Sequence, residues 1–245
     1  MKKLPLACIG AALLAGCGGS NSSTVKMITE ATFPPYEFLR GQEIVGIDVE
    51  ICRAVAEKLG KEFQAETVDF DSVIPAVISG KADLAAAGIT VTEDRKKNVD
   101  FSVPYVKTGI VVISKKSNPF KDVAQLKGRK IGVQAGTTSE TYVLEQLHEE
   151  PERSRSPAEA CAALKSGRVE FVIADIDPAK NCVKGESDLQ LSNFITSEEY
   201  AIAIRKGQPE LLKVINETIA ELKANGRLAK WIADFTAEAD KLKEK

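Results

Sequence analysis

Apolar residues recur along this chain in two rhythms that take turns. Val25-Lys26-Met27-Ile28-Thr29 alternates apolar and polar positions and predicts a strand. Ile47, Ile51, Val55 and Leu59 lie four apart, which predicts a helix over 47–59 with one apolar face, stopped by Gly60. Glu62 to Val68 reads as a strand, and Asp71-Ser72 as the cap of a helix running through Ile78 to a stop at Gly80. Asp83 to Ala87 reads as a short buried strand, and Thr92-Glu93-Asp94-Arg95-Lys96-Lys97 opens like a capped helix. The same grammar then repeats. Gly109 to Ser114, Lys130 to Val133, Phe171 to Ala174 and Tyr200 to Ile204 read as strands. Helices are predicted from Thr138 to Leu147, from Ser156-Pro157 through Lys165, and from Asp175 onward. Two longer ones, Pro209 to Lys223 and Leu228 to Phe235, close the chain.

Strands alternating with helices predict an α/β architecture of parallel sheets with helices on both faces. Because the pattern occurs twice, two lobes are expected. The first takes 25–110 and 203–240, the second 111–202, and the apolar runs near 109–114 and 200–204 connect them as a hinge. A cleft between hinged lobes is a natural ligand site.

The first residues read as an address. Lys2 and Lys3 precede an apolar stretch, Leu4 to Leu14, which is shorter than the roughly 20 residues of a spanning helix. Leu14-Ala15-Gly16-Cys17 resembles a bacterial lipobox, which implies a signal peptide over 1–16, cleavage before Cys17 and a diacylglycerol on its sulfur. The competing reading is an ordinary signal peptide with an incidental cysteine. Residues 17–24 are rich in Gly and Ser and read as a flexible tether. No later run is long enough to span a bilayer, so a transport role calls for a separate membrane partner.

With 44% hydrophobic and 28% charged residues the composition is that of a globular protein, which excludes disordered, collagenous and disulfide-scaffold classes. The formal charge is −2 and there is no basic stripe, so nucleic acid is not an expected partner. The single histidine, His148, excludes two-histidine zinc motifs and sits in a charge-rich, solvated segment. Neither a metal nor an organic cofactor is called for. After removal of Cys8 and lipidation of Cys17, Cys52, Cys161 and Cys182 remain in an oxidising compartment. Cys161 and Cys182 lie on elements flanking one strand and are the preferred pair; three buried thiols are the alternative.

Three segments carry a resemblance to a known family. They are Glu30-Ala31-Thr32-Phe33-Pro34-Pro35-Tyr36-Glu37-Phe38 with Val45-Gly46-Ile47-Asp48-Val49-Glu50; Asp83 to Arg95 running on to Val99-Asp100-Phe101-Ser102; and Gly132-Val133-Gln134-Ala135-Gly136-Thr137-Thr138-Ser139. Together they resemble the family-3 extracellular solute-binding proteins, the amino-acid receptors of ABC importers, over about residues 25–236. The resemblance implies a two-lobed periplasmic-binding-protein-like fold of type II, with parallel-rich sheets and two hinge strands.

The chemistry of the middle segment stands by itself. A free α-amino acid presents a carboxylate and an ammonium one carbon apart. The planar fork of Arg95 suits the carboxylate, each charge-assisted bond being worth roughly 1.5–3 kcal/mol. Arg95 also falls in a helix's first turn, where free backbone donors attract an anion. Gly88 lets a ligand approach the backbone closely, and Thr90 offers a hydroxyl and a backbone donor. The resemblance assigns these same roles to Gly88, Thr90 and Arg95, and has Thr138, with Thr137 beside it, close onto the carboxylate. It places the ammonium-binding acid at Asp175, after the strand Phe171 to Ala174; Asp177 competes for that role, and Asp175 also reads as a helix cap. Phe33 and Phe70 match the family's aromatic walls. Glu30 sits where relatives often meet the ligand's side chain, and an extra anion there favours arginine, lysine, histidine or glutamine.

The expectation is a lipid-anchored, membrane-associated receptor on the periplasmic side of the cell envelope. It captures a polar or basic amino acid and delivers it to an ABC permease of the inner membrane, with no chemistry on the ligand. The rival is an enzyme on the same scaffold, a cyclohexadienyl dehydratase, in which Asp175, Asp177 or Glu30 serves as general acid or base. A third reading is a sensor subunit that hands its ligand to a signalling partner.

Overall fold

The computed structural model describes residues 23–242. The expected signal peptide and Cys17 lie outside the described residues, and Thr24, the last residue of the expected tether, opens the first strand.

Two five-stranded sheets frame the molecule. The first runs in the order Glu62–Thr67, Thr24–Thr29, Leu84–Ala85, Ala203–Arg205, Val99–Phe101. The second runs Glu152–Ser154, Ile131–Gln134, Phe171–Asp175, Ile110–Lys115, Leu189–Leu191. In each, the first three strands are mutually parallel and the fourth is reversed. Both reversed strands have the same origin. The chain enters the second lobe along Ile110–Lys115 and returns to the first along Ala203–Arg205, each time against the direction of its neighbours.

The crossings themselves are Val106–Thr108 and Glu198–Tyr200, which pair antiparallel with Glu198 opposite Thr108 and Tyr200 opposite Val106. The apolar runs expected to connect the lobes lie just beyond, inside the sheets. Val111 and Ile113 face one core cluster and Ile110 and Val112 another. A strand covered on both faces must be apolar on both, so it reads as an unbroken run and hides its period of two. Met27 and Ile28 divide in the same way between the two clusters of the first lobe. The run expected as one strand over 200–204 is split between Glu198–Tyr200, in the crossing ribbon, and Ala203–Arg205, in the first sheet.

The helix predicted over 47–59 is Ile47–Lys58, with Ile47, Ile51 and Val55 buried. It packs against Pro209–Ala224 and Arg227–Leu242. Gly46 precedes it at φ 136°, where any side chain would strike the Tyr36 carbonyl. The last helix runs past the predicted end at Phe235 because its further turns are tied down: Ala239 is buried, and Glu238 pairs with Arg40. The helix from Thr138 is shorter than predicted. It gives way at Val143–Leu147 to a wider turn closed by His148, an exposed residue in left-handed backbone (φ 57°). Asp71 and Ser72 do not cap the helix Val73–Ile78; the Ser72 hydroxyl donates to the Asp71 carboxylate (3.1 Å) instead. Three short strands, Thr32–Phe33, Glu37–Arg40 and Glu43–Val45, form a ribbon too brief to show an alternation in sequence.

Cys161 and Cys182 form a disulfide between the adjacent helices Pro157–Ser166 and Ile176–Val183, and Cys52 is buried and free.

Candidate ligand-binding site

The carboxyl ends of the sheet strands point into the gap between the lobes, where open α/β sheets gather ligands. Glu30 follows Thr24–Thr29, and Phe70 follows Glu62–Thr67 after a short loop. Gly88 and Thr90 follow Leu84–Ala85, Thr137 and Thr138 follow Ile131–Gln134, and Asp175 ends Phe171–Asp175. The pocket between the lobes is lined by Glu30, Phe33, Phe70, Gly88, Thr90, Arg95, Thr137, Thr138 and Asp175, joined by Ala87 and Gln134. The nine residues singled out from the sequence as ligand contacts are therefore brought to one place, and the competing acid Asp177 is not among the lining residues.

Arg95 sits in the one-turn helix Glu93–Lys96, whose cap Thr92 accepts from the Arg95 backbone N–H (3.1 Å). Its guanidinium bridges the cleft: Nη1 donates to the Thr90 carbonyl (2.8 Å) and Nη2 to the Gly136 carbonyl of the second lobe (3.0 Å). The Phe70 ring lies beneath it, 5.6 Å from ring centre to guanidinium carbon. Loss of hydration pulls the Arg95 pKa down, against the upward pull of Glu198 and Asp175.

Asp175 stands at the head of the helix Ile176–Val183 without capping it. Its Oδ1 accepts from the Tyr200 hydroxyl (2.6 Å). Burial, reinforced by the nearby Glu198 carboxylate, lifts its pKa to about 7, while the Tyr200 bond and Arg95 hold it back. Asp177, the competing acid, is engaged elsewhere, accepting from the Tyr36 hydroxyl (3.1 Å) and from Lys180 Nζ (3.2 Å).

Gly88 has φ 55°, and a Cβ there would collide with the Phe33 ring, so this position requires glycine on two counts. Its N–H donates to Asp48 (2.9 Å). Phe33 is buried and stacked on Tyr36, with ring centres 5.4 Å apart. Glu30 is buried, accepts from the Thr32 hydroxyl, and has its pKa raised by burial. Thr137 spends its hydroxyl on structure, donating to the Gln134 carbonyl (2.7 Å) and accepting from the Glu140 N–H that it caps (3.3 Å).

The sequence reading missed Glu198. One of its oxygens accepts from two hydroxyls, Thr90 of the first lobe (2.7 Å) and Thr138 of the second (3.1 Å). Glu198 and Tyr200 are two apart on a crossing strand and so share a face; that spacing is readable, but the connecting run expected over 200–204 begins after Glu198. Gln134 was also missed as a lining residue, because it reads as the end of a buried strand.

Against the descriptions of protein families, residues 25–238 match the bacterial extracellular solute-binding proteins, family 3. The chain belongs to that family. Among its relatives is the arginine-binding extracellular protein ArtP of Bacillus subtilis, 35% identical over 242 residues, with 93% of each chain covered. Two solved structures of an ancestral arginine-binding protein, one bound to arginine and one bound to glutamine, superpose with TM-scores of 0.80 and 0.79 at 40% identity. Each covers 87% of this chain, and 98% and 97% of the respective neighbour. For a family-3 solute-binding protein, the two sheets and paired crossing strands are the frame of a clamp. Its jaws touch where Arg95 meets Gly136 and where Tyr36 meets Asp177.

Proposed function

We propose that the protein captures a free L-amino acid with a basic or polar side chain, arginine foremost, and delivers it to an ABC permease. The observation that carries this reading is the placement of Arg95 and Asp175 around one interlobe pocket with Glu30 as a further charge. A guanidinium has five N–H donors. Two of those of Arg95 hold the Thr90 and Gly136 carbonyls, which leaves others for the ligand's α-carboxylate. Asp175 and the Gly88 carbonyl take the ammonium, Phe33 and Phe70 flank the aliphatic portion, and Glu30 receives the cationic end. Arg95 is the one cation among the pocket-lining residues, against the acids Glu30 and Asp175. A ligand with a second positive charge balances that set; an acidic amino acid does not.

Because contacts come from both lobes, only the closed arrangement makes all of them, and that difference is what biases the hinge. Affinity is expected between about micromolar and nanomolar, or about −8 to −12 kcal/mol. Anchoring through a lipid on Cys17, on the periplasmic face of the inner membrane, belongs to the same reading and is tested by whether Cys17→Ser releases the protein from membranes.

A thermal-shift screen of the twenty amino acids, followed by calorimetry, tests the function, since a specific ligand stabilises the folded state by mass action. Arginine is expected to give the largest shift. Stabilisation by aspartate or glutamate alone overturns the ligand class, and turnover of prephenate, followed by absorbance, overturns the reading of a receptor.

A further inference from the structure

We infer that Asp48, which lies outside the pocket, is a positioning residue of the binding site: its carboxylate holds the Gly88 N–H and thereby aims the Gly88 carbonyl at the ligand's ammonium. The inference rests on the amino-acid reading above. Asp48 lies in the first turn of the helix Ile47–Lys58, where a carboxylate is favoured by the helix dipole, and it is fully buried. Its Oδ2 accepts from the N–H of Gly88, forty residues away in the chain, over 2.9 Å. Glycine has little conformational preference of its own, so a carbonyl at such a residue points where its surroundings hold it. At Gly88 there are two holds. The Phe33 ring fills the space where a Cβ would stand, and Asp48 anchors the amide.

The neighbours of Asp48 make this bond the more consequential. Glu37, on the strand Glu37–Arg40, is fully buried, and Tyr36, Tyr105 and Cys52 are buried close by; no basic group is among them. Burial pushes the Glu37 carboxyl well above the usual carboxylate range, and the charge of Asp48 adds to the rise. Burial also lifts Asp48, to about 6, and the Gly88 N–H is the foremost contact holding it down. The second Asp48 oxygen and the Tyr105 hydroxyl are buried without a well-formed hydrogen bond. Tyr105 and Glu37 also face the carboxylate and help hold its pKa down, but its well-formed bond goes to the ligand-facing backbone at Gly88.

The test is calorimetric titration of wild type, Asp48→Leu and Asp48→Asn with L-arginine and with 5-guanidinopentanoate, which is arginine without its α-ammonium. Leu has nearly the shape of Asp but no acceptor, whereas the Asn side-chain carbonyl still accepts from Gly88. Asp48→Leu is expected to weaken L-arginine by about ten- to a hundredfold and to leave 5-guanidinopentanoate within about threefold. Asp48→Asn is expected to restore L-arginine binding to within about threefold of wild type. Equal losses for both ligands, or no loss for either, overturn the inference while leaving the proposed function intact. A wild-type protein that binds neither ligand overturns both. If Asp48→Leu does not fold, Asp48→Ala is titrated with the same two ligands in its place: a loss for L-arginine alone supports the inference, and equal losses, or none, overturn it.

Discussion

The Tyr200 hydroxyl donates to the Asp175 carboxylate over 2.6 Å, so an acid at the end of a second-lobe strand is held by a residue of the crossing ribbon. The bond sets the acid's direction without restoring its ordinary acidity, because burial still lifts Asp175 to about 7.

That value couples binding to pH. An acid raised above its unfolded value contributes stability that is full below the ordinary carboxylate range and is lost as pH rises through about 7. A ligand ammonium needs the ionised form, so at pH 6 binding expels a proton, and arginine affinity is expected to fall by up to about tenfold per pH unit below 7. Calorimetry at pH 6 in buffers of different ionisation enthalpy reads the proton directly. The part due to Asp175 is expected to vanish in Asp175→Asn; identical proton release in that variant would exclude this residue as its source.

If Arg95 holds the ligand's carboxylate through two charge-assisted bonds, as proposed, Arg95→Ala costs about 3–6 kcal/mol, or roughly a hundred- to ten-thousandfold in Kd. Arg95→Lys keeps the charge but not the fork and is expected to fall between. Circular dichroism should show both variants folded. Undiminished affinity in Arg95→Ala would place the carboxylate seat elsewhere.

Glu30→Gln removes an acid from the pocket lining, at the end proposed to receive the ligand's side chain. The ratio of arginine to glutamine affinity is expected to drop by about tenfold, the worth of one charge-assisted bond less its neutral replacement. A ratio that stays fixed while both affinities fall would mean that Glu30 only shapes the pocket.

Glu198 accepts from Thr90 and Thr138, one from each lobe, and touches no residue assigned to the ligand's side chain. Glu198→Ala is therefore expected to weaken all amino-acid ligands alike, by about tenfold or more, and to act mainly on dissociation. Stopped-flow displacement with two ligands tests this; a change in selectivity speaks against it.

The Cys161–Cys182 bond spans 21 residues, for which loop-closure entropy gives about 3 kcal/mol. The double alanine variant is expected to melt about 6–12 °C lower in scanning calorimetry, with amino-acid affinity unchanged, since neither cysteine lines the pocket.

Much of the site was legible because its backbone needs are unusual. A glycine that must admit a phenylalanine ring, an arginine in a capped turn and an acid at a strand's end each leave a local mark in the residues. Glu198 left none. Its role comes from pairing between two crossing strands far apart in sequence. The same limit explains the hinge. An apolar run such as Ile110 to Ile113 announces burial but not which neighbour buries it, so a strand inside the second sheet stands in for the connector beside it. Asp48 was quoted among the family's residues but given no task, because its partner at Gly88 is visible only once the chain is folded.

The strand Ala203–Arg205 lies between Leu84–Ala85 and Val99–Phe101. The first sheet thus has a slot that only the late part of the chain can fill, whereas the second draws all its strands from one continuous stretch. A chain that emerges amino end first can assemble the later-encoded half before the earlier one is finished. Until Ala203–Arg205 arrives, the half that supplies Arg95 stays incomplete, so the grip on an amino acid is among the last things this protein acquires as it matures.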